Sequence, residues 1–122
     1  MNYEKAFKHP EKKFEVRYAI RMMKENNMPE AILKMTTLNI SGGKLPQHTI
    51  FPTEAVKKEF NADWGATVNT LVGEEFGQDY KYCLLVYIHK NGFGDAYTFY
   101  LADDTDLLQE EMLPIFRNFK FK

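Results

Sequence analysis

Residues 80–102 read YKYCLLVYIHKNGFGDAYTFYLA, and this stretch decides the fold. Tyr80 to Lys90 and Ala96 to Ala102 are rich in aromatic and branched side chains, which suit a pleated, half-buried surface. Between them Asn91-Gly92 is the strongest short hairpin signal, because both residue types tolerate the backbone of a tight turn. A two-residue turn pairs Val86 with Tyr97, Leu84 with Phe99 and Tyr82 with Leu101, so these side chains share one face. A four-residue turn from Asn91 to Gly94 keeps the same faces, since side chains alternate with period two. The opposite face then carries Cys83, Leu85, Tyr87, His89, Thr98 and Tyr100. It is too apolar to be left in water, so a helix or a partner is expected to cover it.

Working outward, residues 10–27 are expected to form a helix. Pro10 suits a first helical position. Val16, Ala19, Ile20 and Met23 form one apolar stripe at 3.6-residue spacing, and Phe14, Tyr18 and Met22 form a second. Lys13, Arg17, Arg21 and Lys24 fall together on the remaining face. Residues 28–40 carry mixed signals: Ala31, Ile32, Met35 and Leu38 keep helical spacing, whereas Thr36, Thr37 and Ile40 suit a strand. A short helix ending before Ser41-Gly42-Gly43 is the preferred reading. Residues 42–49 read as loop.

Thr53 is expected to cap a helix over Glu54 to Phe60. Asp63 is expected to cap another that runs to Phe76, with Trp64, Val68, Leu71 and Val72 on its apolar face and Gly77 after it. Beyond the hairpin, Asp106 with Gln109 resembles a capping box, opening a C-terminal helix that Pro114 breaks. The expected fold is α+β: N-terminal helices, a central antiparallel β-hairpin as a small sheet, and a C-terminal helix. No repeat or Gly/Ser linker divides the chain, so residues 1–122 are expected to form one domain, with 1–9 flexible and 114–122 a basic, aromatic tail.

The composition narrows the function. The chain has 122 residues, 44% hydrophobic and 27% charged, enough for a core. Sixteen basic and seventeen acidic residues give a net charge of -1, unlike the basic excess of a general polyanion binder. That near-neutrality is a cancellation. Residues 1–34 carry a basic excess and 114–122 only basic charges, whereas 35–113 are strongly acidic. Asp103, Asp104, Asp106, Glu110 and Glu111 lie together without an intervening cation. No apolar run reaches the roughly 18 residues of a membrane span, and the start lacks a signal peptide's apolar core. The expected location is cytoplasmic.

No catalytic or cofactor chemistry assembles in the sequence. His9, His48 and His89 share no ligand spacing with one another or with Cys83, so no metal is expected. Cys83 and His89 stand about 20 Å apart along a strand, too far to act as nucleophile and base. Glu74-Glu75 and Glu110-Glu111 diverge on a helix and read as solvated faces. Ser41-Gly42-Gly43-Lys44 lacks the spacing of a phosphate loop. No cofactor is expected.

Two functions follow. The first is a small, non-enzymatic protein-binding domain, of inhibitor, immunity or mobile-element accessory type, that occludes a partner protein. Its contact residues would be Tyr87, His89, Phe93, Thr98 and Tyr100, flanked by Asp103, Asp104 and Asp106, since rigid aromatic side chains anchor interfaces. A symmetric homodimer could use the same face. The alternative is a winged-helix-like DNA-binding or transcription accessory protein that uses Lys13, Arg17, Arg21 and Lys24, with Asn91 to Gly94 as the wing tip.

Overall fold

Residues 14–22 read FEVRYAIRM, in which Phe14, Val16, Tyr18, Ile20 and Met22 alternate with charged residues or alanine. A period of two belongs to a strand. The computed structural model describes residues 5–8, 10–22, 29–43, 48–73 and 80–106, and it places a strand there instead of the expected helix. In chain order the elements are β1 (Lys5–Lys8), β2 (Phe14–Met22), α1 (Pro29–Ser41), β3 (His48–Ile50), α2 (Thr53–Phe60), β4 (Trp64–Leu71), β5 (Tyr82–Lys90) and β6 (Gly94–Ala102). They build one six-stranded sheet in the order β1-β2-β6-β5-β4-β3, with every neighbour antiparallel.

The expected helices-plus-hairpin architecture is therefore corrected, among the described residues, to a six-stranded sheet with two helices. Two expected helices have become strands. The two apolar stripes assigned to a helix over 10–27 are the side chains of one alternating strand, counted at helical spacing. The expected helix from Asp63 is β4, in which β-branched Thr67, Val68 and Thr70 favour extended backbone. Lys5–Lys8, inside the segment expected to be flexible, pairs with Glu15–Tyr18. No C-terminal helix element is present among the described residues, and Gln109 and Pro114 lie outside them.

The two helices lie close to their expected ranges, but the stripe expected on the first is not its buried one, since Ala31 and Met35 are exposed. In α1, Leu33, Thr36, Thr37 and Ile40 form the buried stripe. Both threonine hydroxyls are satisfied within the helix: Thr36 donates to Ile32 O at 2.9 Å and Thr37 to Leu33 O at 2.8 Å. Helix α2 begins at Thr53 itself, with Pro52 at the cap position and no side-chain cap bond. It ends at Asn61, whose φ of 52° is left-handed and whose N–H returns to the helix carbonyls.

The hairpin exists, but its register differs from both turns considered. Lys90 pairs with Gly94, so the loop is the three residues Asn91 to Phe93. Phe93 N–H donates to Lys90 O at 3.0 Å, and Gly92 takes the positive φ (80°) that the third position of a type II turn requires. An odd-length loop shifts the pairing by one residue, which turns all of β6 over. Tyr87 now lies opposite Tyr97, and Leu84 opposite Tyr100.

Each sheet face has its own core. Leu33 and Ile40 of α1 pack with Ala19, Val68, Leu85, Tyr87, Tyr97, Phe99 and Leu101. On the other face Val56 and Phe60 of α2 pack with Ile88 and Ala96, and Phe14, Val16, Leu84, Val86 and Tyr100 form a neighbouring cluster. Cys83 to His89 are buried without interruption, as befits a central strand covered on both sides. At about 1.5–3 kcal/mol for each fully buried large aliphatic or aromatic side chain, these two layers are the main source of stability.

Candidate functional site

The register settles where the expected contact residues go. Tyr87 and His89 lie in the sheet face that α1 covers, whereas Thr98 and Tyr100 belong to the opposite face, and all four are buried. Tyr87 and Tyr100 therefore share no surface. Phe93, at the hairpin tip, is exposed and lies beneath the Lys90 ammonium, 4.9 Å from its ring centroid. Asp103 binds Lys13 at 2.7 Å and accepts from Lys81 N–H at 3.0 Å, so its carboxylate joins the two sides of the sheet end. Lys13 and its hydrogen bond hold the Asp103 carboxyl below the usual carboxylate range. Asp104 and Asp106 are exposed, and Asp104 accepts from Asp106 N–H at 2.8 Å.

The basic quartet does not form a helix face either. Lys13 precedes β2, Arg17 and Arg21 are on β2, and Lys24 lies outside the described residues. Arg17 is paired with buried Glu15, which also accepts from Tyr80 at 3.3 Å. The helix on which a winged-helix arrangement rested is absent.

The structure brings together a buried polar chain that spacing alone did not single out. Asp95 Oδ1 accepts from the Tyr87 hydroxyl at 2.6 Å and meets His89 Nδ1 at 2.7 Å. His89 Nε2 meets Asn91 Oδ1 at 3.0 Å, and Asn91 N–H donates to Asp63 Oδ2 at 2.7 Å. Asp63 N–H in turn donates to His89 O at 2.8 Å. A histidine oriented by a carboxylate is half of a general-base arrangement. Here Asn91 occupies the nitrogen that a nucleophile would use, so the chain of bonds ties the hairpin to β4 instead. Among the described residues, no group of three or more His, Cys, Asp or Glu side chains is placed to hold a metal. No helix among them is long and apolar enough to cross a membrane.

An open concave feature of the described residues lies elsewhere. Where α1 passes the end of β2, an open cleft of about 330 Å³ is lined by Ala19, Ile20 and Arg21 from the strand, by Ile32, Met35, Thr36 and Asn39 from the helix, and by Tyr97 from β6. That size is at the small end of ligand-binding clefts. Met35 on its wall is 67% exposed, whereas Ile20 and Met22, 41% and 75% exposed, alternate onto the sheet face of α2, where Ile20 pairs with Ala96. Arg21 is exposed and is in no ion pair among the described residues. Burial, then the charge of Asp95, raises the Tyr97 hydroxyl above its ordinary value, and Thr36 and Arg21 offset this only in part. The cleft is apolar along its walls and positive at one side.

Of the residues expected to carry function, only Arg21 lines this cleft. Ile20, Met22 and Met35 were read as core because helical spacing turned them inward. The alternation over 14–22 is the signal that places Ile20 and Met22 at the end of a strand. No family model matches the chain, and no curated protein or solved structure matches it.

Proposed function

We propose that this chain is a non-enzymatic protein-binding domain and that its contact surface is the cleft between α1 and β2. The occupant is an extended segment of a partner protein with apolar side chains and an acidic one. The observation that carries this reading is exposed Met35 beside half-buried Ile32 on one open cleft that Arg21 borders. Exposed large apolar groups gathered in one place mark interaction sites, whereas scattered ones need no explanation. Methionine adds an adaptable, polarisable contact. Arg21 supplies the charge that an acidic side chain would meet. Occlusion of a partner, as an inhibitor or immunity-type protein achieves it, needs no more than such a surface.

Selection of displayed short peptides against the purified chain tests the reading. Enriched peptides should combine apolar residues with Asp or Glu, and Met35→Asp should weaken their binding by at least about tenfold, or 1.4 kcal/mol. Met35 is outside the core, so this variant should remain folded. Equal binding to Met35→Asp, or no enrichment, would overturn the proposal.

A further inference from the structure

We infer that the tip of the β5–β6 hairpin is a second docking element, in which Phe93 enters an apolar pocket of a partner protein and Lys90 meets a carboxylate at the pocket's rim. The tip displays an aromatic ring that the turn does not require. Phe93 is 50% exposed, and its ring centroid lies 4.9 Å from the Lys90 ammonium. Gly92 takes the positive φ of the turn, and from Phe93 the turn uses only the backbone N–H, bonded to Lys90 O. Turn positions otherwise favour Gly, Asn, Asp, Ser and Pro. Lys90 and Met22 both pair with Gly94, so the three share one row, on the face where Ile88 and Ala96 meet α2. Gly94 has no side chain, which leaves a notch between Lys90 and the 75% exposed Met22.

The same tip is held from behind. Asn91 N–H donates to Asp63 Oδ2 at 2.7 Å, and Asn91 Oδ1 meets His89 Nε2 at 3.0 Å. His89 is fixed in turn by Asp95, which also accepts from the Tyr87 hydroxyl. A buried chain of this kind adds little net stability over apolar residues of similar size, because its members give up their hydration. Asp95 Oδ2, with no hydrogen-bond partner among the described residues, adds to that cost. What the chain of bonds does fix is one conformation of a three-residue loop. A group ordered before binding loses less freedom on binding, and aromatic side chains are the commonest interface anchors.

Charge selects the occupant. Attachment to a lipid surface takes apolar groups together with several cations. Around this tip Lys90 and Arg21 stand against Asp63 and Asp95, so cations have no excess. One ammonium over one ring suits one carboxylate beside an apolar pocket. The row of Lys90, Gly94 and Met22 lies on the α2 side of the sheet, away from the α1 cleft, so this surface does not depend on the cleft being a docking site.

The test uses the full chain with photoreactive p-benzoylphenylalanine incorporated at position 93, irradiated in an extract of the cells that make it. One protein should dominate the cross-linked product, joined through an apolar residue of a concave site with Asp or Glu at its rim. That protein, purified, should bind Phe93→Ala at least about tenfold more weakly. The variant should keep the native urea midpoint, because half of the ring is already in water. Lys90→Gln should weaken binding at low salt and remove most of its salt dependence. Asn91→Ala should weaken binding about threefold or more and lower the NMR order parameter of the Phe93 amide, which a loss of stability alone would not do. Cross-links to lipid, to a second copy of this chain or to no dominant species would overturn the proposal. Equal binding by Phe93→Ala would overturn it as well.

Discussion

Asp95 and His89 meet at 2.7 Å inside the β5–β6 pair, neither side chain more than 4% exposed, while Asp95 Oδ2 has no hydrogen-bond partner among the described residues. One carboxylate oxygen therefore serves both His89 and Tyr87. Removing the carboxylate leaves two buried polar side chains without their partner, which is costlier than removing one donor. Asp95→Ala should destabilise the protein by about 3 kcal/mol or more and Tyr87→Phe by about 1 kcal/mol, measured by urea denaturation. Equal losses would show that the shared oxygen does not organise the site.

A second expectation concerns alkaline pH. Burial, then the hydrogen bond and charge of Asp95, push the Tyr87 hydroxyl above the ordinary 10.0. Burial and neighbouring Tyr18 do the same to Tyr100, and burial raises the Cys83 thiol above 9.0. Each group keeps its proton longer when folded, so its contribution is fully present below the unfolded value. That contribution falls as pH rises from about 9 for Cys83 and about 10 for the tyrosines, at up to roughly 1.4 kcal/mol per pH unit for each group. The urea midpoint should be level toward pH 8.5 with respect to these groups and then drop. Tyrosinate absorbance from the buried rings should appear only with unfolding. All seven tyrosines ionising near pH 10 in the folded chain would contradict this.

Cys83 permits a direct check of the same burial. Its thiol is fully buried on β5, and desolvation opposes the thiolate, with Arg17 offsetting this only in part. The thiolate is the reactive form. A disulfide reagent should therefore modify Cys83 at neutral pH no faster than the chain opens, and mild urea should accelerate the reaction. Immediate labelling of the native protein would show that the core around β5 is not closed.

What the residues made legible, and what they hid, follows from period and parity. The hairpin was legible because Asn91-Gly92 stands between two β-rich runs, and the ranges of α1 and α2 because Pro29, Gly42 and Thr53 bound them, although α1 buries Leu33 and Ile40 and not Ala31 and Met35. β2 was obscured because its apolar residues, read together with Ala19 and Met23, also satisfy helical spacing, although the alternation from Phe14 to Met22 is unbroken. β4 was obscured by Asp63, which resembles a helix cap but serves Asn91 instead. The cleft was hidden by the first of these errors, because its wall of Ala19, Ile20 and Arg21 exists only once residues 14–22 are a strand. The burial of Tyr87 and Tyr100 on opposite faces turned on one loop residue, and local composition does not fix loop parity.

That loop residue supplies the last prediction. Gly92 and Gly94 both take positive φ, 80° and 139°, but their surroundings differ. A Cβ on Gly92 meets nothing within 4 Å, so Gly92→Ala costs only backbone strain, about 1 kcal/mol. A Cβ on Gly94 would collide with the Arg21 carbonyl oxygen and come within 3.0 Å of Met22 Cα, on the strand that pairs with it. Backbone cannot yield there as a flexible side chain can. Gly94→Ala should cost about 3 kcal/mol or more, combining strain with a separated β2–β6 end. It should also speed amide exchange along Arg21 and Met22, whereas Gly92→Ala should leave that exchange unchanged. If the two variants unfold at the same urea concentration, the three-residue loop and the register built on it are wrong.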